Sequence, residues 1–171
     1  VMSELRLVEQ PGNRIMLAGA GNIGLRLAQA LEKSHYQVKL IESNRARAYQ
    51  AAALLGESIV LHGNAADEEL MTQENIENTE AFCSITNEDE ANILSAMLAK
   101  RLGARRTMAL VNRSAYVDLV ETRMLDIAIS PKISTVGILL THIRRADTVA
   151  VHSLRRGAAE VIEIIAHGEP S

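Results

Sequence analysis

Aromatic residues and cysteine are scarce in this chain of 171 residues. With three Tyr, one Phe and no Trp, the core must consist of aliphatic side chains and Met, and aromatic platforms that stack single-stranded nucleic acid are few. The single cysteine, Cys83, cannot form an internal disulfide, which favours a reducing compartment. Because it lies in the apolar run at residues 81–85, we expect a small buried side chain rather than a nucleophile.

Long hydrophobic runs and an excess of positive charge are absent as well. No run approaches the roughly 18 apolar residues that cross a bilayer, and no signal peptide is visible, so we expect no direct membrane insertion. A net charge of −3 argues against a broad surface for nucleic acid or anionic lipid. Residues 1–5 are typical of the end of an earlier helix, and we therefore expect a piece of a longer protein.

What the chain does contain is an alternation of short apolar runs with longer segments of helical periodicity. Nearly continuous apolar runs are typical of parallel strands that are covered on both faces. The predicted strands are residues 15–18, 38–41, 59–61, 81–85, 108–111 and 127–129. The predicted helices between them are residues 23–33, 45–55, 67–71, 90–102 and 116–122. The alternation predicts an α/β fold, a Rossmann-like doubly wound parallel sheet with strand order 3-2-1-4-5-6.

Beyond the sixth predicted strand the pattern changes. We expect a C-terminal helix at residues 133–144 and a β-hairpin formed by residues 148–154 and 160–167, with a turn at residues 155–157. Residues 160–167 fit helical spacing about as well as they fit a strand, so both forms stay open for that segment.

A glycine-rich loop follows the first predicted strand. Gly19, Gly21 and Gly24 have the spacing Gly-x-Gly-x-x-Gly, with a strand before them and a helix after them. Glu42 stands 18 residues beyond Gly24, at the end of the second strand. This context predicts a dinucleotide site, because the glycines allow a tight turn, an approach of backbone to pyrophosphate and close packing of a helix whose free N–H groups, near Asn22, bind phosphate. The alternative is a tight strand–helix turn with an incidental surface Glu.

The acid at the end of the second strand bears on which nucleotide binds. A carboxylate at Glu42 would bind both ribose hydroxyls and repel a 2′-phosphate, which favours NAD or an adenine nucleotide over NADP. Arg45 and Arg47 leave NADP open, since a nearby Arg can accommodate that phosphate, although both could equally flank the adenine or be solvated. A P-loop sequence is absent, which disfavours a P-loop NTPase.

Three further loops are expected at the same edge of the sheet, where ligands bind in open α/β folds. Residues 63–67 follow the third strand; Gly63 allows backbone to approach a base, and Asp67 could simply cap a helix. Residues 86–92 follow the fourth strand and would either face the distal end of a dinucleotide or form an acidic helix start. Residues 112–113, after the fifth strand, could reach phosphate or be merely exposed.

Residues for catalysis are not evident. Hydride transfer needs a placed substrate and usually a general acid or base with a pKa near neutrality. None of the three tyrosines is followed four residues later by Lys, as in short-chain dehydrogenases, and the five histidines lack metal-ligand spacing. Only His62, just before the third loop, is expected near the nucleotide, and a structural role is the simpler reading. We therefore predict no catalytic residues, no metal site and no enzyme; the alternative is a cofactor-binding domain excised from an NAD-dependent dehydrogenase.

Four stretches together resemble the RCK/KTN family of domains, also called TrkA-N domains, which regulate potassium conductance. They are residues 15–24, 40–42, 63–65 and 86–92, with the sequences IMLAGAGNIG, LIE, GNA and TNEDEAN. The stretches 92–101, 115–120, 127–131 and 153–157 extend the resemblance to the second nucleotide-binding half of the regulatory subunits of bacterial Trk potassium uptake. The resemblance covers nearly the whole chain.

The resemblance implies a Rossmann-like domain that binds NAD(H), ATP or ADP. It also implies a homodimer or ring assembly with other RCK domains on the cytoplasmic face of the inner membrane. Such a ring gates an integral-membrane potassium transporter when nucleotide exchange changes its shape. Neither nucleic acid nor direct membrane insertion is expected. The cofactor-binding residues expected from the resemblance and the glycine loop are Gly19, Ala20, Gly21, Asn22, Ile23, Gly24, Glu42, Ser43, Arg47, Asn64, Ala65, Thr86, Asn87 and Asp89.

On the same basis we expect three segments along the chain. Residues 1–12 would be the tail of a preceding domain or a linker, residues 13–145 the RCK/KTN nucleotide-binding domain, and residues 146–171 an extension for dimerisation or linkage, with a further dimer contact from residues 131–145. The chain departs from the family at two positions, with Asn64 where Asp is common and Leu110 where many members carry Arg. An Arg at that position would neutralise phosphate, so Leu110 removes a charge-assisted contact from the distal half of the site.

Overall fold

Six parallel strands form one sheet in the computed structural model, which describes residues 13–120, 124–130 and 135–144. The strands are β1 (Arg14–Ala18), β2 (Gln37–Glu42), β3 (Ile59–His62), β4 (Ala81–Ser84), β5 (Arg106–Leu110) and β6 (Ile127–Ile129). Their order is β3-β2-β1-β4-β5-β6, and every adjacent pair is parallel. The predicted Rossmann-like fold and its strand order are confirmed.

Helices cover both faces of this sheet. In the described part of the chain they are α1 (Asn22–Lys33), α2 (Arg45–Leu54), α3 (Glu68–Gln73), α4 (Asp89–Arg101), α5 (Ser114–Leu119) and α6 (Thr135–Arg144), with one 3₁₀ turn at Ile76–Asn78. Side chains of α1, α2 and α6 pack on one face, and those of α3, α4 and α5 pack on the other. None of these helices is long and apolar enough to cross a membrane.

Successive side chains of β1 point to opposite faces. Ile15 and Leu17 belong to the apolar cluster beneath α1, whereas Met16 and Ala18 belong to the cluster beneath α4, and all four are buried. Burial of one such aliphatic side chain stabilises the fold by about 1.5–3 kcal/mol. Because both faces of β1 are covered, its residues are apolar from Ile15 to Ala18, which is the pattern that the sequence displays.

Cys83 lies at the centre of β4 and is completely buried, as predicted from the apolar run around it. Burial raises the pKa of its thiol to about 12, although the Arg106 guanidinium acts in the opposite direction. The side chain therefore packs as a small hydrophobe.

The fifth strand begins two residues earlier than predicted, at Arg106. The Arg106 guanidinium pairs with the buried Glu80 carboxylate, and the Thr107 N–H donates to Asp126 Oδ2 at 2.8 Å. Two polar residues can lie inside a buried strand because partners that are distant in sequence satisfy their charge and hydrogen bonds. Hydrophobicity alone cannot indicate such a strand.

Other boundaries differ from the prediction as well, among them the end of β4 and both ends of α5. The fourth strand ends at Ser84 rather than at residue 85. The helix that was predicted at residues 116–122 spans Ser114–Leu119, because the backbone of Val120 is already extended, with ψ of 123°.

The C-terminal helix was predicted at residues 133–144 and is described over Thr135–Arg144. Its buried residues Ile138, Leu139 and Ile143 join the cluster beneath α1, so α6 closes that face of the sheet. The predicted hairpin at residues 148–167 lies outside the described residues, as do the proposed end segments 1–12 and 146–171.

Candidate nucleotide-binding site

A cavity of about 520 Å³ opens at the carboxyl ends of the strands. Its walls come from the loops that follow β1, β2, β3 and β4, and from one side of α4. The chain order of the strands reverses between β1 and β4, and ligands of open α/β folds bind at such a point. The volume lies in the range of about 300–1,000 Å³ that small-molecule sites occupy.

Most of the predicted contact residues line this cavity. Those in its wall are Gly19, Gly21, Glu42, Ser43, Arg47, Asn64, Ala65, Thr86 and Asn87. The predicted residues outside the wall are Ala20, Asn22, Ile23, Gly24 and Asp89. The fold therefore brings together residues from four separate loops that the sequence assigned to one site.

The wall also contains residues that were not among the predicted contacts, although Gly63 had been expected to let backbone approach a base. They are Ala18, Ile41, Gly63, Ala66, Ile85, Glu88, Ala91 and Ser95. Ala91 and Ser95 lie four residues apart on α4, so a helical-face pattern could have found them once one end of that helix was placed at the site. The others directly adjoin predicted contacts or strand ends, and only the three-dimensional arrangement distinguishes them from core.

The glycine loop is shaped by two close contacts. Gly19 has φ of +114°, a conformation that favours glycine, and its N–H donates to the Ile41 carbonyl at 2.8 Å. A Cβ on Gly24 would lie 1.9 Å from the Gly19 carbonyl oxygen, so only glycine lets α1 pack this closely against the loop. A Cβ on Gly21, in contrast, would meet nothing within 4 Å, because that position faces the cavity.

Helix α1 begins at Asn22, directly after this loop. The first N–H groups of a helix have no intrahelical acceptor, and they carry the positive end of the helix dipole. Asn22, Ile23 and Gly24 are not among the wall residues, but their N–H groups, at the start of α1, are what this segment would offer to a phosphate.

Glu42 is anchored in the wall by its neighbours. Its side chain is buried, and its Oε1 accepts the Ala20 N–H at 2.7 Å while Oε2 accepts the Asn44 N–H at 2.8 Å. Arg47 Nε lies 3.5 Å from Oε2. A carboxylate oxygen can accept more than one hydrogen bond, so Glu42 can hold the glycine loop and still accept ribose hydroxyls. The sequence predicted the ribose role but not the link to Ala20.

Two local bonds shape the wall around Glu42. The Asn44 side chain caps α2 by accepting the Arg47 N–H at 2.9 Å, and the Arg47 side chain remains about half exposed at the rim of the cavity. His62 Nε2 lies 3.1 Å from the Ser43 carbonyl oxygen, and the His62 side chain is not part of the wall. His62 thus supports the loop after β2 from outside, as the structural reading of this histidine expected.

The loop after β3 is stabilised from within. Asn64 Oδ1 accepts the Ala66 N–H at 2.8 Å, which fixes a tight turn. Asp67 Oδ1 accepts the Glu69 N–H at 3.0 Å, so Asp67 caps α3. This is the simpler of the two roles that the sequence suggested for it.

Asp89 lies away from the cavity and is bonded elsewhere. Its buried carboxylate accepts the N–H of Asn112 at 2.8 Å and that of Arg113 at 2.9 Å, in the loop after β5. Burial acts to raise the pKa of Asp89, but these hydrogen bonds outweigh it and hold the pKa below its usual value. The geometry therefore gives Asp89 a role in joining α4 to the loop after β5, and the residue does not line the site where the sequence placed it.

Leu110, at the position where the family often carries Arg, is buried in the apolar cluster beneath α1 and does not line the cavity. The ionisable side chains in the wall are Glu42, Glu88 and Arg47. The single cation stands at the β2 side, so the half of the cavity near residues 86–88 offers polar and acidic groups but no cation from the described wall.

Comparison with known proteins agrees with this geometry. Residues 15–131, which include all of the cavity wall and all of the sheet except Arg14, match the model of the TrkA-N domain. The chain belongs to the TrkA-N family. Solved structures with the same fold include the GsuK channel bound to NAD, with a TM-score of 0.61, 16% identity and coverage of 74% of this chain and 24% of that one. The TrkA-N domain of the inner membrane protein ybaL from Escherichia coli superposes with a TM-score of 0.60 and 23% identity, covering 77% of this chain and 95% of that one.

Closer relatives of this TrkA-N chain are Trk system potassium uptake proteins. The TrkA protein of Halomonas elongata is 56% identical over 99% of the chain, and that of Vibrio alginolyticus is 56% identical over 100%. The chain spans 37% of the length of each of these two relatives.

Proposed function

We propose that this TrkA-N chain is a nucleotide-sensing regulatory domain of a bacterial Trk-type potassium uptake system. The observation that carries the proposal is the cavity at the β1–β4 switch point, where a glycine loop, a buried Glu42 and the loop at residues 86–88 face one another. The high identity to potassium uptake proteins supports the physiological setting.

The proposed ligand is NAD(H), with ATP or ADP as the other candidates. The Glu42 carboxylate, held in place by Ala20 and Asn44, would accept the ribose hydroxyls of the adenosine half. The N–H groups at the start of α1 would hold the phosphates. A 2′-phosphate would meet the buried Glu42 charge, which favours NAD(H) over NADP(H). The fold is shared with a channel that binds NAD, which supports this choice.

We propose that the domain does not catalyse a reaction. The described wall of the cavity contains no His, Tyr, Lys or Cys, which are among the side chains that enzymes use as a general acid or base. Binding without chemistry is what a sensor needs, and relatives named as potassium uptake proteins favour this reading over an excised dehydrogenase domain.

The regulatory step would act through assembly. We propose that residues 13–145 form the nucleotide-binding domain, that residues 131–145 and 146–171 contribute dimer contacts, and that RCK domains assemble into a ring. The ring would lie in the cytoplasm, peripheral to the inner membrane, on an integral-membrane potassium transporter. A nucleotide gates such a partner only if it binds two arrangements of the ring with different affinity.

Calorimetric titration tests the proposed ligand. We expect NADH, NAD, ATP or ADP to bind the purified chain, and Glu42→Ala to weaken every ribose-bearing ligand by roughly 1–3 kcal/mol, the range for lost charge-assisted hydrogen bonds. The affinity for NADPH is expected to rise relative to that for NADH in this variant, because the charge that repels the 2′-phosphate is removed.

A matched control is Glu77→Ala, which removes an exposed acid from the 3₁₀ turn at the opposite edge of the sheet. The control is expected to bind as the wild-type chain does. Equal affinities for wild type and Glu42→Ala would show that the acid has been assigned wrongly, and a wild-type chain that binds none of the four nucleotides would refute the proposed function.

A further inference from the structure

The loop at residues 86–88 is held from beneath by a side chain that does not face the ligand. Asn92, in the first turn of α4, has no exposed surface and is not part of the cavity wall. It nevertheless forms hydrogen bonds to two neighbouring strands or their loops. One partner is Thr86, just beyond β4, and the other is Leu110, the last residue of β5.

Both ends of the Asn92 amide are used. Its Oδ1 accepts the Thr86 N–H at 2.9 Å, and its Nδ2 donates to the carbonyl oxygens of Thr86 at 3.0 Å and of Leu110 at 2.8 Å. A backbone N–H can only donate and a carbonyl can only accept, so these partners fix which way the amide points. A carboxylate of the same size would present acceptors to both carbonyl oxygens.

Serine and threonine hydroxyls complete this buried network. Thr86 Oγ1 donates to Asn92 Oδ1 at 2.6 Å, and Ser84 Oγ donates to the same oxygen at 3.2 Å. Ser84 Oγ also lies 2.7 Å from Ser95 Oγ, whose side chain reaches the cavity wall. A network of this kind, with its partners satisfied and little water present, holds a local structure rigidly.

The position of Thr86 in turn sets one dimension of the cavity. The Thr86 Cγ2 atom would lie only 3.1 Å from a Cβ added to Gly19, so the loop after β4 and the glycine loop are in close contact. Both loops belong to the cavity wall. A small shift of Thr86 would therefore change the width of the cavity between them, on the side away from Glu42 and Arg47.

We propose that Asn92 is a positioning residue for the distal half of the nucleotide site. It holds Thr86 at the distance from the glycine loop that a ligand extending beyond the adenosine half requires. The inference rests on the proposed function, since it assumes that the cavity takes a nucleotide. It assigns to Asn92 a selective effect on dinucleotide over mononucleotide binding.

The test compares NADH with ADP, because the two share the adenosine diphosphate half and differ in the distal half. Calorimetry with the purified chain is expected to show that Asn92→Asp weakens NADH roughly tenfold, the equivalent of about one to two net hydrogen bonds. ADP is expected to change less than about twofold, because its ribose contacts lie at Glu42 and its phosphates at the glycine loop.

A matched control for lost stability is Asp126→Asn. Asp126 pairs with Lys100 near the other end of α4 and accepts the Thr107 N–H, so the variant perturbs the same helix without touching the cavity. We expect it to lower the melting temperature while the ratio of NADH to ADP affinity stays at the wild-type value.

Ser84→Ala is a milder second variant, since it keeps the Asn92 amide and removes one hydrogen bond to Asn92 Oδ1 and one to Ser95 Oγ. This variant keeps the test decisive if Asn92→Asp fails to fold. We expect it to lower the affinity for NADH by less than Asn92→Asp does, and to leave the affinity for ADP unchanged. Equal losses for NADH and ADP in the folded variants, or no loss for either, would overturn the inference. A wild-type chain that binds neither nucleotide would overturn the proposed function itself.

Discussion

At the scale of single residues, two glycines of one loop meet opposite constraints. Gly24 has no room for a Cβ, because the Gly19 carbonyl oxygen would lie 1.9 Å from it. Gly21 has open space where a Cβ would project, and that space belongs to the cavity. Gly24 is thus required by the fold, and Gly21 by the proposed ligand.

This separation predicts different effects of the same substitution. Gly24→Ala is expected to lower the free energy of unfolding by about 1–3 kcal/mol, the usual cost of overpacking a tight contact. Gly21→Ala is expected to leave that free energy within about 0.5 kcal/mol of wild type and to weaken NADH by roughly 1–3 kcal/mol, since a methyl group would occupy the path of the phosphates. Urea unfolding and calorimetry measure the two effects separately. Wild-type affinity in Gly21→Ala would mean that phosphate does not approach this loop.

The site was partly predictable at this scale. The glycine spacing and Glu42 identified one wall of the cavity, because each has a known physical role next to a nucleotide. The family resemblance assigned Asp89 to the site, but a resemblance in sequence does not show where a side chain points. The first turn of α4 directs Asp89 toward Asn112 and Arg113, and only the folded chain reveals those partners.

At the scale of elements, a single carboxylate ties α1 to the loop before β3. Glu32 Oε2 accepts the N–H groups of Glu57 at 2.8 Å and Ser58 at 2.6 Å, and Oε1 accepts the Gly56 N–H at 3.2 Å. Burial acts to raise the pKa of Glu32, but the Ser58 hydroxyl and these backbone N–H groups outweigh it and lower the pKa from its ordinary value of 4.5.

The lowered pKa predicts how stability depends on pH. A group whose pKa is lower in the folded chain stabilises it above the unfolded pKa and loses that contribution as pH falls through the folded value. Urea unfolding at pH 7 is expected to show Glu32→Gln about 1 kcal/mol less stable than wild type. The gap should narrow once the pH falls below about 4.5. Glu77→Gln, at an exposed acid, serves as control, and a gap for Glu32→Gln that is constant from neutral to acidic pH would contradict the role of the charge.

The elements themselves were well predicted wherever apolar residues form them. The predicted ends of β1, β2 and β3 lie within one residue of the observed ends, because a short apolar run forms the centre of each strand. β5 was predicted to begin too late because Arg106 and Thr107 are polar and still buried. Their partners, Glu80 and Asp126, are 26 and 19 residues away in sequence, and a local sequence pattern cannot predict such pairs.

At the scale of the whole molecule, the proposed regulatory role depends on one cavity. Four loops meet at the carboxyl edge of the sheet. The first turn of α4 connects this edge to β5 and the loop after it, because Asn92 bonds to Leu110 and Asp89 bonds to Asn112. A ligand that draws Asn87 and Glu88 toward the glycine loop, while Asn92 holds Thr86 in place, would therefore act on this connection. Such closure would give the nucleotide its different affinity for two domain arrangements, which is what regulation requires.

Hydrogen exchange of the purified chain, with and without saturating NADH, tests this claim most directly. We expect slower exchange at residues 21–24, where phosphates would occupy backbone N–H groups, and also at residues 86–89, where the loop would close on the distal half of the ligand. Saturation confirmed by calorimetry is the necessary control. Tight binding that leaves exchange at residues 86–89 unchanged would contradict the sensing role, because the ligand would then occupy the cavity without altering the loop that is proposed to respond.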